Sequence, residues 1–453
     1  MDKLKILNSI VPGYAENFAK GQYGFEEMPL LNALCSNFQK LPLPDLQKTL
    51  VIACQHLLQP QVEMFQWLIK LGLPAGNIWI LPKVYSANQL IAQELISMGC
   101  FVVMDALKFR TDQDFDTFHK FQCDEITKKA FQEIPSESKV IILDDGGMLL
   151  SSFAKQYDPK SPFKIYGVEQ TASGKNIVLN NSLPFIVTSV ASSVEKIEIE
   201  TGYIIRHAVK RVFEYFDNEK ISKDAKVLVL GKGPIGNTLI NSLIGHGFSC
   251  IGYDVKEKHN KPVLAEFDVI IGATGKTSVS IEDLPKLKYG CHLISVSSSD
   301  REFPSVFLRT HSIMGSHVHD TFISSVNNIH LVNGGFPITF KAERIECYPL
   351  EMDVTMMKLT EGVLNHIMCK TDFEDSIQDI KLQKLTPWVG RNALFWIIII
   401  FVVGLLQLVL GIQLVIPNST EAHVVGILFL IWGCGPSFFY FKYWCSLIKL
   451  LPE

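Results

Sequence analysis

A glycine-rich loop in the second half of the chain has residue types and a spacing that suit phosphate binding. Val227–Leu230 is a short apolar run, and Gly231, Gly233 and Gly236 follow it in the pattern G-x-G-x-x-G. In such loops the first glycine permits a tight turn, the second lets a pyrophosphate approach the backbone, and the third lets helix and strand pack closely. A helix predicted over 237–244 would present free N–H groups to the phosphates. The loop therefore predicts a dinucleotide site.

An acidic residue stands at the end of the next predicted strand. Asp254 follows 249–253, where a carboxylate accepts hydrogen bonds from the adenosine ribose and would repel a 2′-phosphate. NAD is therefore favoured over NADP, although Lys256 and Lys258 weaken that preference. The alternative is a Rossmann domain that has lost its nucleotide. The cofactor-binding residues predicted in this half of the chain are Gly231, Gly233, Pro234, Ile235, Gly236, Asp254, Thr274 and Gly275.

Alternating apolar strands and helical patterns place these residues in an α/β fold. One series of buried strands is predicted at 49–54, 77–81, 100–104 and 140–143. A second series is predicted at 227–230, 249–253, 267–271 and 292–296. Helical patterns separate the strands, and this alternation is typical of parallel, doubly wound sheets. We predict two Rossmann-like, doubly wound parallel-sheet domains in series, followed by a transmembrane hairpin.

The hairpin is predicted from two long apolar runs near the C-terminus. Residues 394–416 and 424–440 are long enough to cross a bilayer core as helices, and the polar turn 417–423 separates them. Lysine and arginine flank both runs but are absent from the turn, which places both ends in the cytoplasm. We therefore predict a multi-pass membrane protein with two spans and a large cytoplasmic N-terminal part. The alternative is a buried helical hairpin in a soluble core.

The composition argues against several other classes of function. Of 453 residues, 47% are hydrophobic and 19% are charged, and the net charge of −4 provides no basic face for nucleic acid. The 10 cysteines form no C-x-x-C pair and lie mostly in apolar runs, which indicates reduced, buried thiols. Histidines such as His317 and His319 have no ligand spacing, so we predict no metal site.

Several motifs, in the same order along the chain, resemble those of the S-adenosylhomocysteine hydrolase (adenosylhomocysteinase) family of one-carbon metabolism. They lie within about residues 45–365 and are Cys54–His56 (C-x-H), Ile142–Gly147 (I-L-D-D-G-G), Gly167–Gly174 (E-E-T-T-T-G), Ser193–Arg206 (S-V-T-K, then D-N-L-Y) and Leu331–Gly335 (L-V-N-x-G). In that family a tightly held NAD oxidises the ribose 3′ carbon, a thiol is eliminated, water adds and the hydride returns. The resemblance implies a resident NAD and an adenosine-type substrate with a thioether.

The resemblance also implies catalytic roles for four residues. Asp145 would be the carboxylate near C4′, Lys196 with Glu200 would handle the 3′ hydroxyl, and His56 would assist proton transfer. Simpler interpretations stay open for each of them. Lys196 and Glu200 have the spacing of an exposed ion pair on a helix. His56 could be a satisfied core histidine, and the segment around Asp145 could be a plain turn.

The resemblance adds Thr171, Ser173 and Asn333 to the cofactor contacts, on the nicotinamide side. It further implies a discontinuous substrate-domain-like region, 1–202 completed by about 333–368, around an NAD-binding domain at 203–332. Homo-oligomers are expected because the family forms tetramers, although its basic C-terminal tail is missing here. The remaining predicted segments are a linker at 369–392, two transmembrane helices at 393–444 and a cytosolic tail at 445–453.

Four departures from the family pattern concern its catalytic and cofactor-binding segments. Gln170 replaces a catalytic glutamate, Thr201 an asparagine and Ser298 a histidine, and 336–339 replace a G-H-P segment. One hypothesis is therefore a divergent enzyme that cleaves a thioether. The alternative is a catalytically inactive, membrane-anchored NAD-binding sensor or interaction module. A third is a simple dehydrogenase with an unrelated substrate.

Overall fold

The computed structural model describes residues 28–193, 196–257, 262–341 and 349–368, together with 11–12. They all belong to one unit of the chain, Met1–Ile377. Among these residues no helix combines the length and the apolar character needed to cross a bilayer. The predicted linker, hairpin and cytosolic tail at 369–453 lie outside the described residues.

The first lobe is built on a six-stranded sheet. Its strands are β1 (Thr49–Leu57), β2 (Ile78–Ala87), β3 (Phe101–Val102), β4 (Lys139–Asp144), β5 (Lys164–Glu169) and β6 (Ile186–Ser189). Every pair is parallel, and the order is β3-β2-β1-β4-β5-β6. This is the order of a doubly wound sheet, in which ligands bind beyond the carboxyl ends of the strands where the order reverses. That point lies between β1 and β4.

The second lobe is built on a mixed sheet. Its strands are β7 (Lys226–Leu230), β8 (Ser249–Tyr253), β9 (Val269–Gly272), β10 (His292–Ser295), β11 (Ser312–Met314), β12 (Phe322–Ser324) and β13 (His330–Leu331). The order is β11-β12-β13-β10-β9-β7-β8, and β11 and β12 run antiparallel. The prediction of a purely parallel sheet is therefore wrong at this edge. The short link between β11 and β12 returns the chain directly, whereas a parallel pair needs a long crossover.

Helices cover both sheets. They are α1 (Pro29–Phe38), α2 (Gln59–Lys70), α3 (Gln89–Ser97), α4 (Phe115–Glu133), α5 (Met148–Gln156), α6 (Ala172–Asn181), α7 (Thr201–Asn218), α8 (Pro234–Gly245), α9 (Ser305–Thr310) and α10 (Pro349–Ile367). Although α10 follows the second sheet in the chain, its Met356 and Leu364 pack with Val51 and Val168 of the first sheet. Each of the strands predicted from the sequence corresponds to an observed strand; the ends agree at Ser249–Tyr253 and are shifted in the others.

Arg309 joins the two lobes through a buried hydrogen-bond cluster. Its guanidinium donates to the Asp300 carboxylate and the Gly334 carbonyl, both at 2.8 Å, and to the Gln113 carbonyl of the first lobe at 2.7 Å. Asp300 also accepts the backbone N–H of Phe115 at 3.1 Å. The Arg309 and Asp300 side chains are 0% and 2% exposed. The several N–H donors of the planar Arg309 guanidinium, and not its charge alone, therefore connect the lobes.

Replacing Arg309 by lysine is expected to lower the free energy of unfolding by about 2 kcal/mol, because lysine keeps the charge but cannot serve these acceptors together. The measurement is denaturant unfolding of the full chain in detergent. Arg301→Lys is the matched control, since the Arg301–Asp116 pair is 43% and 35% exposed and should change stability by less than about 0.5 kcal/mol. Equal losses in the two variants would contradict this account of Arg309.

Candidate functional site

The glycine loop lies between β7 and α8, where the strand order of the second sheet reverses. A β-carbon at Gly236 would lie 1.9 Å from the Gly231 carbonyl oxygen, and one at Gly231, whose φ is +103°, would lie 2.7 Å from the Ala273 oxygen. A β-carbon at Gly233 would meet no described atom within 4 Å. Gly233 is also the N-cap of α8, which begins with Pro234. The fold itself thus requires Gly231 and Gly236, while Gly233 opens onto free space.

Asp254 lies beside this loop at the end of β8, as the sequence predicts. Its carboxylate accepts the backbone N–H of Lys232 at 3.2 Å and that of Lys256 at 3.0 Å. These hydrogen bonds, that from Lys256 first, lower the pKa of Asp254. The Lys232 ammonium pairs with Glu257 at 2.7 Å. The loop and the acid are therefore joined, with the carboxylate ionised and accessible.

Thr274 and Gly275 follow β9 and contact a buried carboxylate that the sequence analysis missed. Both backbone N–H groups donate to Glu302 Oε1 at 2.6 Å, and the Ser297 hydroxyl donates to the same oxygen at 2.6 Å. Glu302 is fully buried. Its carboxylate thus holds the ends of β9 and β10 together. These two amide groups point to Glu302, so any cofactor contact made by Thr274 or Gly275 would use other atoms.

A buried charge cluster occupies the carboxyl ends of β1, β2 and β4. Lys83 and His56 both contact the Asp145 carboxylate, and His56 Nε2 lies 3.2 Å from Asp145 Oδ2. The Lys83 and Asp145 side chains are each 7% exposed. Burial alone would raise the pKa of Asp145, but Lys83 and His56 hold it well below its usual range. Asp145 is therefore a carboxylate held between two partners, and it is a weak base.

Aromatic rings of the second lobe cover this cluster. Phe340 stacks on His56 with ring centroids 4.6 Å apart, and Phe336 stacks on Tyr85 at 5.1 Å. The other ring nitrogen of His56 bonds the Ser86 hydroxyl. Phe336 begins 336–339, the segment compared above with the G-H-P of adenosylhomocysteinases, and Phe340 directly follows it. Phe336 and Phe340 together therefore place two rings over the first-lobe cluster.

Cys54 and His119 form a second buried pair behind the cluster. The Cys54 Sγ to His119 Nε2 distance is 3.2 Å. Burial raises the pKa of the Cys54 thiol well above its usual value and lowers the pKa of His119 to about 3. Both groups are therefore neutral near pH 7, and the pair lacks the thiolate that a cysteine nucleophile requires.

Lys196 and Glu200 form a buried pair on a π-helical turn, Lys196–Glu200, that precedes α7. The Lys196 Nζ to Glu200 Oε2 distance is 3.1 Å, and the side chains are 11% and 9% exposed. Lys196 also donates to the backbone carbonyl of Gln170 at 2.7 Å. The interpretation as an exposed helical ion pair is therefore wrong. The side-chain oxygen of the buried Gln170 has no partner among the described residues.

Thr171, Ser173 and Asn333 are engaged in local structure. The Thr171 hydroxyl caps α6, accepting the Gly174 N–H at 3.0 Å, and lies 3.2 Å from the Ser173 hydroxyl. The Asn333 amide donates to the Pro337 carbonyl at 2.9 Å and, in the same loop, to the Phe340 carbonyl. Thr171 and Ser173 lie in the first lobe, and the glycine loop lies in the second.

The site residues that sequence reasoning missed are buried polar groups with hydrogen-bond partners outside their own strand or helix. They are Lys83, Ser86, Asp144, Glu169, Glu302 and Arg309. The available signal was a charged residue inside or directly after an apolar run, as at Lys83 and Glu169. Among the described residues, no group of three or more histidine, cysteine or acidic side chains is arranged to hold a metal ion.

Comparison with known proteins finds two similar sequences, which match this chain to the same extent. Over 345 residues the chain is 29% identical to an uncharacterized protein found in two strains of Mycobacterium tuberculosis, covering 74% of this chain and 67% of that protein. No protein-family model matches the chain.

Several solved structures are similar at a low level. NAD⁺-bound 3-phosphoglycerate dehydrogenase from Entamoeba histolytica has 11% identity and a TM-score of 0.34, covering 72% of this chain and 98% of that one. The pyruvate reductase of Chlamydomonas reinhardtii has 13% identity and a TM-score of 0.32, covering 72% and 98%. D-2-hydroxyisocaproate dehydrogenase has 12% identity and a TM-score of 0.30, covering 72% and 99%. Similarity at this level has no bearing on what this chain binds.

Proposed function

We propose that this chain binds NAD at the Gly231–Gly236 loop and keeps it as a resident ligand. The observation that carries the proposal is the open space at Gly233, where no described atom would lie within 4 Å of a β-carbon. The N-terminus of α8 begins there, so its free N–H groups and dipole suit a pyrophosphate. Packing explains Gly231 and Gly236, whereas the space at Gly233, at the N-terminus of α8, is where a pyrophosphate approaches the backbone in loops of this pattern.

The proposal favours NAD over NADP because of Asp254. Its ionised carboxylate lies beside the loop and would repel a 2′-phosphate. Lys256 contributes its backbone N–H to that carboxylate. We propose that Pro234, Ile235 and Asp254 contact the adenosine half of the cofactor.

Oxidation of a substrate hydroxyl by NAD requires a group that takes the hydroxyl proton. NAD would supply a hydride acceptor beside a substrate hydroxyl. Lys196 and Glu200, a buried pair 3.1 Å apart, are suited to moving a proton at that hydroxyl. We propose that Thr171, Ser173 and Asn333 orient the other half of the site.

Thioether cleavage would also need a base for a carbon-bound proton. Asp145 is poorly suited to this role, because Lys83 and His56 hold its pKa well below the usual range. Gln170, at the family's glutamate position, cannot transfer a proton. We therefore favour an NAD-binding sensor or interaction module. The buried Lys196–Glu200 pair keeps a divergent adenosylhomocysteinase-like hydrolase of adenosine-type substrates as the second candidate.

The membrane hairpin proposed for 393–444 would attach this module to a membrane, with the NAD-binding part on the cytoplasmic side. A sensor in that position would recruit partners according to its cofactor state. This part of the proposal rests on the apolar runs and their flanking charges.

The test uses the full chain purified in detergent. Denaturation is expected to release NAD, about one per chain. Native protein is then mixed with S-adenosylhomocysteine while adenosine, homocysteine and NADH absorbance are followed. Released NAD without products supports the sensor, and products support the hydrolase. Free exchange and turnover of added NAD would indicate a simple dehydrogenase. No NAD, even after incubation with it, would overturn the proposal.

A further inference from the structure

Two buried carboxyl groups stand side by side at the ends of β4 and β5. Asp144 pairs with Glu169 in the parallel register, so both side chains project from the same face of the sheet. Both residues are 0% exposed. Ser189 of β6 pairs with Glu169 in the same row. The row lies directly beneath the loops that carry Asp145 and Thr171.

One oxygen of each carboxyl group accepts at least one backbone N–H group. Glu169 Oε1 accepts the N–H groups of Gly146 and Thr171 at 3.1 and 2.7 Å, and the Thr171 hydroxyl at 2.7 Å. Asp144 Oδ2 accepts the Leu150 N–H at 2.9 Å. Glu169 therefore ties the loop after β4 to the loop after β5. The loops need the acceptor oxygen of Glu169, and the carboxyl group supplies it whether it is protonated or ionised.

The other oxygen of each group has no partner in the described part of the chain. Asp144 Oδ1, Glu169 Oε2 and the neighbouring Ser189 Oγ are buried without a hydrogen bond to any described residue. Buried acceptors without donors are rare and costly in folded proteins. Two ionised carboxylates facing each other would add like-charge repulsion to that cost. A proton on Glu169 Oε2 removes both problems, because the neighbouring Asp144 carboxylate then offers it an acceptor.

We propose that Asp144 and Glu169 hold a single proton between them at neutral pH, and that this acid–carboxylate pair positions both loops of the first-lobe site. The pair differs from its neighbour Asp145, which is ionised between Lys83 and His56. The proposal concerns the shape of the site and is independent of the bound cofactor.

The charges around the pair support this assignment. Burial, and then the charge of Asp144, raise the pKa of Glu169 well above its usual value. Burial raises the pKa of Asp144 to about 6, against the opposing effects of the Leu150 hydrogen bond and Lys83. Lys83 from β2 is thus the cation that acts on the pair, and Asp145 adds negative charge. From β1, Cys54 faces the pair as a neutral buried thiol.

The test replaces Glu169 by glutamine in the full chain. Glutamine has the shape of a protonated glutamic acid, keeps an acceptor for Gly146 and Thr171, and gives its amide N–H to Asp144. Glu169→Gln should match the parent within about threefold in the folded-to-unfolded ratio at about pH 4, where glutamate is largely protonated in both states. It should have a higher ratio than the parent at pH 7, where only the parent must bind a proton on folding. Asp145→Asn, the same change of an acid to an amide beside it, should lower the ratio more than about a hundredfold because Lys83 is left unpaired.

The pH dependence of stability is the second measurement. Relative to Glu169→Gln, the parent should lose stability as the pH rises above about 4.3, roughly tenfold in the folded-to-unfolded ratio per pH unit, because only the folded state keeps the proton. An infrared difference spectrum of parent minus variant should show the carbonyl stretch of a protonated acid. A variant that fails to fold, a flat pH dependence, or loss of carboxylate bands alone would each overturn the proposal.

Discussion

Replacing Asp145 by leucine is expected to lower the free energy of unfolding by about 3–5 kcal/mol, because the change leaves a buried ammonium without its partner. The Lys83 side chain is 7% exposed and pairs with Asp145. Burial disfavours the charged form of Lys83, and Asp145 offsets this and raises its pKa above the usual value. Without Asp145, Lys83 must either stay charged in an apolar site or lose its proton, and both cost free energy.

The double variant Lys83→Met with Asp145→Leu separates charge from packing. Removing both partners of a buried ion pair is often neutral when the volumes are matched, so the double variant should unfold within about 1.5 kcal/mol of the parent. Each single variant should be much less stable than the double. Denaturant unfolding of the full chain in detergent measures all four proteins. Additive losses would show that Lys83 and Asp145 do not form the ion pair that the structure shows.

The same pair predicts the direction of an acid effect. The folded-state pKa of Asp145 is depressed, so its contribution is present above the unfolded pKa of about 3.9 and is lost as the pH falls below that value. The difference in stability between the parent and the double variant should therefore shrink under acid. The stability of the parent relative to the double variant therefore rises with pH, whereas its stability relative to Glu169→Gln is expected to fall with pH.

Much of the fold follows from sequence pattern alone. The runs at 49–54 and 140–143 are continuous and apolar because β1 and β4 lie in the middle of a sheet covered on both faces. β5 and β6 were missed, since Lys164–Glu169 contains polar residues and glycine and Ile186–Ser189 is short. The antiparallel edge at Ser312–Met314 was missed because half-exposed strands of three residues have no usable periodicity.

The candidate site likewise has a part that the sequence predicts and a part that it does not. The glycine loop was predictable because its geometry depends on neighbours in sequence: strand, glycines, helix and the acid of the next strand. The partner of Asp145 was not, because Lys83 reaches it across β1 through the strand order β2-β1-β4. Glu302 likewise meets Thr274 only because β9 and β10 are adjacent. Local motifs are read from the sequence, whereas charge pairing depends on topology.

Replacing Gly233 by valine is expected to weaken NAD binding by at least about tenfold, a loss of about 1.4 kcal/mol or more. The side chain would fill the space in which the pyrophosphate approaches the backbone. No described atom would lie within 4 Å of the new β-carbon, and φ at Gly233 is −72° with an extended ψ, which a side chain tolerates. The fold should therefore remain intact while the cofactor is lost, which distinguishes this position from its neighbours.

Two further glycines of the same motif and helix serve as controls. Gly245→Ala lies at the other end of α8, where a β-carbon also meets no described atom within 4 Å, and it should leave both stability and NAD content unchanged. Gly236→Ala would place a β-carbon 1.9 Å from the Gly231 oxygen, so it should lower the unfolding temperature even without cofactor. The measurements are NAD released per chain on denaturation and titration of NAD into cofactor-depleted protein. If Gly233→Val retained NAD as the parent does, the phosphates would lie elsewhere, and the open space at Gly233 would no longer identify the loop as a nucleotide site.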